Sequence, residues 1–202
     1  KYIKGYYSGG TLAYEAATLM NDALGLNAQD AGDGYILKKE GYEVIDLGDD
    51  VYTQGRPHPM IDATKRKEMM VEAGNDPETA AILIDIVLGY GAHDNMAGEL
   101  EPAIKKVIAD AKAQGRNLPV IGTMVGTDLD PQDYHNQQKI LQDAGVILCQ
   151  SNAQAVKTAL ALVGKPVHED LKPILPEEAS DAVMPAVSED LQKLLTVDKF
   201  IN

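Results

Sequence analysis

The sequence predicts an α/β fold built on a five-stranded, doubly wound parallel sheet. Apolar strand segments alternate with five helical segments as far as residue 163, which is the pattern of such a sheet. The most apolar segment, residues 79–89, is typical of a central parallel strand that is buried on both faces. Three glycine-bearing loops follow predicted strands, and ligands of these folds bind beyond the carboxyl ends of the strands.

The chain opens with a predicted strand, a glycine turn and a helix. Residues 2–7 are β-branched and aromatic, and strong helix formers follow the glycines as far as residue 24, with Thr11 as N-cap or first-turn residue. A helix that begins directly after such a turn directs unpaired N–H groups and its positive end at the turn. We therefore expect an anion site at Ser8, Gly9, Gly10 and Thr11, which we call the 8–11 turn. The alternative is that its glycines serve turn geometry alone.

The remaining elements follow in regular alternation. Further strands are predicted at residues 41–47, 79–89, 118–125 and 146–150, and residues 35–37 form a brief extended piece. Helices are predicted from residue 62 or 64 to 74, from 99 to 115, from 131 or 132 to 145, and from 153 to 163. Residues 1–164 are thus expected to form one domain. The acidic, proline-containing residues 165–202 are expected to form an extended arm or linker with a short helix at 188–195.

Several polar residues in or next to the strand-end loops are candidates for binding and catalysis. The long loop 48–62 carries Arg56, which would clamp a carboxylate if it faced inward, and His58. His58 and His93 are candidates for proton transfer, or else solvated loop histidines. Asp85 interrupts the most apolar strand, so it needs a partner or faces a site. The two later glycine loops add Gly89, Gly91, Gly126 and Thr127 as substrate-binding candidates.

Composition excludes some classes of function. The formal net charge of −13, with 31 acidic against 18 basic residues, disfavours nucleic acid as a partner. No segment is long and apolar enough to suggest a membrane span, and a cytoplasmic location is the default. The lone Cys149 lies in an apolar stretch, which favours a buried thiol. The histidines and Cys149 have no close ligand spacing, so no metal site is expected.

Five segments together resemble the FdrA family. More broadly they resemble the second, flavodoxin-like ligase domain of the succinyl-CoA synthetase alpha subunit and other NDP-forming acyl-CoA synthetases. The resemblance covers about residues 4–163, and the order and spacing of its motifs make it more specific than one glycine turn. The segments are Ser-Gly-Gly-Thr-Leu-Ala-Tyr-Glu (8–15), Gly-Arg-Pro-His-Pro-Met-Ile-Asp (55–62), Asp-Pro-Glu-Thr-Ala-Ala-Ile-Leu-Ile-Asp (76–85), Leu-Gly-Tyr-Gly-Ala-His (88–93) and Gly-Thr-Asp-Leu-Asp-Pro-Gln (126–132).

The resemblance implies particular roles for residues of this chain. In the parent synthetases a histidine of this domain carries phosphate, and the 8–11 turn matches the turn that holds phosphate or carboxylate. The nearest match to that histidine is His135, which lacks the flanking glycines, and the closest acid to the glutamate that steadies it is Asp85. Loss of the full phosphohistidine loop is a feature of FdrA proteins.

The implied function is that of an acyl-CoA synthetase-like domain that binds phosphate or acyl phosphate and a small carboxylate. Two alternatives stay open: a subunit domain of an oxamate carbamoyltransferase, which converts oxalurate and phosphate to oxamate and carbamoyl phosphate, or a non-catalytic docking domain. No cofactor is expected within this chain. CoA and a nucleotide are expected in the full assembly, with an N-terminal Rossmann domain and an ATP-grasp partner, so the chain would not be active alone. Its acidic balance and the missing neighbouring domains suggest that it docks to other domains or subunits, and a homo-oligomer stays open.

Overall fold

A computed structural model describes residues 1–165 and confirms the α/β class. One sheet contains β1 (Tyr2–Tyr7), β2 (Tyr35–Lys39), β3 (Tyr42–Asp46), β4 (Thr79–Val87), β5 (Val120–Val125) and β6 (Ile147–Cys149). The strand order is β2-β3-β1-β4-β5-β6, and every pairing is parallel except that of β2 with β3. The expected arm and the helix at 188–195 lie outside the described residues.

The prediction of five strands was wrong by one, because residues 35–39 form an edge strand. β2 and β3 make a hairpin in which Lys39 pairs with Tyr42 across a two-residue turn. Both turn residues have positive φ, 55° at Glu40 and 92° at Gly41, as a type I′ turn requires. Glutamate is unusual at the first of these positions, and Leu37 is the one fully buried residue of β2. The usual hairpin signals are therefore weak in this segment.

Residues 1–165 contain six helices. They are α1 (Gly10–Leu24), α2 (Asp50–Thr53), α3 (Thr64–Asn75), α4 (Met96–Ala113), α5 (Tyr134–Asp143) and α6 (Asn152–Leu162). The short α2 lies inside the segment that was predicted to be a long loop. Gly9 is the N-cap of α1, so Thr11 lies in its first turn.

The sheet separates two apolar layers, as a doubly wound fold requires. Residues of β4 alternate between them: Ile82, Ile84 and Ile86 pack with α3, α4 and α5, whereas Ala81 and Leu83 pack with α1 and α6. Both sets are completely buried, which explains why β4 reads as an almost continuous apolar run. Cys149 does not belong to the deepest core. It is half-buried on the edge strand β6, which corrects the expected buried thiol.

The order of the strands fixes where a ligand crevice opens. From β1 the chain moves to β2 and β3 on one side, and from β4 it moves to β5 and β6 on the other. The carboxyl ends of β1 and β4 therefore flank the point where the connections reverse direction, which is the usual ligand position in open α/β sheets. Ser8 follows β1 directly at this point.

We expect the central strand to dominate stability. Ile84→Ala deletes a completely buried side chain and should lower the free energy of unfolding by about 2–5 kcal/mol. Ile147→Ala is the matched control, because Ile147 lies on the edge strand β6 with 41% of its surface exposed, and it should cost less than about 1 kcal/mol. Urea unfolding of both variants measures the difference. Equal losses would contradict this assignment of the core.

Candidate functional site

A buried contact joins the ends of β1 and β4. Asp85 accepts a hydrogen bond from the backbone N–H of Ser8 at 2.7 Å on one oxygen and from the Ser8 hydroxyl at 2.9 Å on the other. Asp85 is 0% and Ser8 1% exposed. The expected partner of Asp85 is therefore the 8–11 turn itself. The Ser8 hydroxyl is already donated to Asp85, so it is not the ligand donor that we expected.

Arg66 completes this contact from α3 and was missed by sequence reasoning. Its Nη1 donates to the Asp85 carboxylate at 3.0 Å and to the Asp85 backbone oxygen at 2.7 Å. Its guanidinium is 1% exposed, and Nε and Nη2 have no hydrogen-bond partner among the described residues. Burial raises the pKa of Asp85 and lowers the pKa of Arg66, and each charge opposes the shift of the other. Arg66 shares a helix face with the buried Met70 and Ala73, at spacings of four and seven. That spacing was the sequence pattern from which the burial of Arg66 could have been predicted.

The first turn of α1 has free backbone donors. The N-cap Gly9 is extended, with φ −138° and ψ 132°, and supplies no side-chain cap, and the first turn contains no acidic residue. By contrast, side chains of Asp49, Asn95, Asp133 and Ser151 cap α2, α4, α5 and α6. The N-cap of α3 is likewise uncapped, but the preceding Asp62 side chain accepts the Thr64 N–H of its first turn at 2.7 Å. The first backbone N–H groups of any helix lack a carbonyl partner within that helix. At the 8–11 turn these donors are thus left for water or a ligand.

An acidic residue that sequence reasoning did not select lies beside these donors. Asp46 ends β3, and its Oδ2 lies 2.8 Å from the point that a Cβ on Gly10 would occupy. A Cβ on Gly48 would lie 2.7 Å from Nε2 of His58 and 3.1 Å from the carbonyl oxygen of Ser8. A larger residue at either position would require these side-chain ends to shift. His58 is thereby next to the 8–11 turn.

Further contacts bring the other strand-end loops towards the turn. A Cβ on Gly9 would lie 3.4 Å from the Met60 methyl, and the Met60 carbonyl accepts the backbone N–H of His93 at 2.8 Å. Gln132 then ties the loop after β4 to the loop after β5. It accepts from the Gly89 N–H and donates to the Gly89 carbonyl, both at 2.9 Å. Loops after β1, β3, β4 and β5 are thus linked.

Four other candidates do not reach the 8–11 turn by any contact of the described residues. Arg56 lies in the loop after α2, where its N–H donates to the Thr53 carbonyl, and it lines a separate pocket of about 300 Å³ with Lys65 and Glu68. Gly91 is exposed. Thr127 donates its N–H and hydroxyl to Asp130 within its own loop. A Cβ on the preceding Gly126 would meet Leu88 at 2.8 Å, so that glycine serves packing.

His135 and His93 have their own partners. His135 is 78% exposed in the first turn of α5, and its Nε2 lies 3.3 Å from Asp128. His93 accepts the Asn95 N–H on Nδ1 at 3.0 Å. Residues 1–165 contain no group of three histidine, cysteine, aspartate or glutamate side chains placed to hold a metal ion. None of the helices in that part of the chain has the length and apolar character needed to cross a bilayer.

The family model described as CoA-ligase matches residues 6–162. This chain belongs to the CoA-ligase family. The domain is 40% identical over 159 residues to the uncharacterized protein YahF of Escherichia coli (strain K12), covering 75% of this chain and 31% of YahF. The finer resemblance to FdrA proteins stays a prediction.

Two solved structures are similar to this CoA-ligase domain at low identity. One is PH0766 from Pyrococcus horikoshii OT3, with 11% identity and a TM-score of 0.48 over 80% of this chain and 34% of that one. The other is the dinucleotide-forming acetyl-coenzyme A synthetase 1 of Ca. Korarchaeum cryptofilum in complex with phosphate and ADP. It has 15% identity and a TM-score of 0.49 over 81% of this chain and 32% of that one. The chain thus spans about a third of the length of its relatives.

We expect Arg66 and Asp85 to be energetically coupled. Arg66→Met leaves a buried carboxylate without its cation and should cost about 3–5 kcal/mol in the free energy of unfolding at pH 7. The loss should shrink on acidification, because the Arg66 charge opposes the burial that raises the pKa of Asp85. Without Arg66 the folded-state pKa rises further, so protonation favours the folded state more in the variant than in the unmodified chain. Adding Asp85→Asn should cost less than the sum of the single changes. Additive losses in denaturant unfolding would contradict the coupling.

Proposed function

We propose that this CoA-ligase domain is part of an FdrA-type, acyl-CoA synthetase-like protein and binds the anionic group of a substrate at the 8–11 turn. Phosphate, acyl phosphate and small carboxylates are the ligand classes that suit it. One observation carries the proposal: the α1 start lacks a side-chain cap, although it lies at the switch point between β1 and β4. Helix starts in that position are suited to anions because N–H donors and the helix dipole act together.

The Ser8–Asp85–Arg66 contact would give the site its rigidity. Asp85 holds both the N–H and the hydroxyl of Ser8, so the residue immediately before Gly9 is fixed on the end of β4. Donors that are already oriented need no rearrangement when charge develops on a ligand. We therefore assign anion binding to the backbone of Gly9, Gly10 and Thr11, and a positioning role to Asp85.

Among the histidines, we assign a hydrogen bond to the bound anion to His58. Its Nδ1 accepts the Met60 N–H at 3.2 Å, so the neutral imidazole carries its proton on Nε2. That nitrogen is the one that approaches Gly48 beside the Ser8 carbonyl. A side chain in this position can donate its Nε2–H to a bound anionic group. His135 has no part in this proposal, because it lies exposed beside Asp128.

The complete reaction needs more than this chain. The 8–11 turn fits a single anionic group, so CoA and a nucleotide would be held by other parts of a longer protein or assembly. The domain matches about a third of the length of its relatives, which supports that expectation. A Rossmann domain and an ATP-grasp partner are the components that we expect.

Placing an acid in the first turn of α1 tests the anion site. Thr11→Glu puts a carboxylate where the ligand would bind, so acetate and inorganic phosphate should bind at least about tenfold more weakly by calorimetry. Thr18→Glu is the matched control, since Thr18 is another exposed threonine of α1. It adds the same charge away from the turn and should change affinity less than about twofold. An equal effect of both variants, or no binding to the unmodified chain, would overturn the proposal.

A further inference from the structure

Asp46 lies level with the proposed anion site because of the strand register. Tyr7 of β1 pairs with Asp46 of β3, so both strands end together just before the 8–11 turn. The Asp46 side chain points to the α1 side of the sheet, where its Oδ2 approaches Gly10. A carboxylate thus lies next to the amides that would receive a ligand anion.

This carboxylate is not neutralised by a cation. No ion pair between Asp46 and a lysine or arginine occurs in residues 1–165. Its Oδ1 accepts the Gly48 N–H at 2.8 Å, and the titratable groups facing it are Asp49 and His58 from its own loop and Tyr14 from α1. The other acid at this edge, Asp85, is compensated by Arg66. The negative charge of Asp46 therefore acts on a bound ligand, whereas that of Asp85 is compensated.

We propose that Asp46 determines the charge of the ligand that the 8–11 turn accepts. The turn takes a singly charged acid, such as a carboxylate or a singly ionised phosphoryl group, in preference to a doubly charged one. This inference rests on the proposed function, since it needs an anion at the turn. It adds a specificity residue that anion binding alone does not require.

The preference follows from opposing electrostatic terms. A helix start acts as about half a positive charge, and an ionised Asp46 beside it contributes a full negative one. At equal distances the negative charge is the larger, so a ligand would be bound by the N–H hydrogen bonds against a repulsion that, like the desolvation cost, is larger for a dianion. Repulsion from Asp46 is proportional to the charge of the ligand, so removing it should help a dianion twice as much as a monoanion on a logarithmic scale.

Acidification should relax the preference. Burial raises the pKa of Asp46, and Asp49 adds to that increase, whereas the Gly48 N–H and His58 oppose it. As the pH falls, Asp46 becomes neutral and its repulsion of a dianion is lost. The affinity for a permanently doubly charged probe should therefore rise on acidification in the unmodified chain. That rise should be smaller when Asp46 is replaced.

Acetate and sulfate, titrated at pH 7 into the unmodified chain and into Asp46→Asn, test this inference. Asparagine keeps the acceptor for the Gly48 N–H, so the turn is preserved. We expect sulfate to gain about tenfold in affinity and acetate about threefold, because the logarithmic gain scales with ligand charge. Asp143→Asn removes the same charge from the exposed end of α5 and should change neither affinity by more than about twofold.

The outcomes separate this inference from the function beneath it. Acetate binding that Thr11→Glu abolishes would support the anion site. If Asp46→Asn then gives equal gains in affinity for both ions, or no gain for either, the role of Asp46 is overturned and the anion site stays intact. Failure of both ions to bind either form would overturn the anion site and this inference together. A sulfate gain that is about the square of the acetate gain, absent from Asp143→Asn, would support the role of Asp46.

Discussion

The buried contact of Asp85 with Ser8 and Arg66 is the constraint on which the candidate site depends. An aspartate in the most buried strand is costly unless its oxygens are paired, and here each oxygen accepts a donor of Ser8 while Arg66 adds a charge. Because Ser8 precedes the N-cap of α1, the pairing also fixes where that helix begins. One polar contact thus links strand order, helix position and the direction of the free N–H groups.

The electrostatics of the site depend on the different surroundings of Asp85 and Asp46. Asp85 is buried with a cation and serves the structure, whereas Asp46 lies beside the α1 start without a lysine or arginine partner among the described residues. A free carboxylate beside a helix start repels an anionic ligand, and this repulsion increases with the charge of the ligand. His58, on the same loop as Asp46, supplies the group that can counter it. This combination suits a singly charged ligand better than a dianion.

Sequence reasoning found the layers of this fold and the turn at its centre, because both depend on local patterns. Alternation of apolar strands with helices, and glycines directly before α1, are visible without tertiary information. β2 was only partly recognised, since an edge strand with one buried residue has almost no apolar pattern. Arg66 and Asp46 were missed for a different reason. Their roles come from strand register and helix packing, which bring residues distant in sequence to the same edge of the sheet. Arg56 lines a separate pocket after the short α2, a helix that the sequence did not predict.

Amide chemical shifts measured by NMR while acetate and inorganic phosphate are added to the chain test the central claim most directly. The account predicts saturable shifts that are largest at the backbone N–H groups of Gly9, Gly10 and Thr11. Smaller shifts are expected at Gly48 and His58. Saturable shifts centred on the pocket of Arg56 and Lys65, or no saturable shift at the start of α1, would contradict the account.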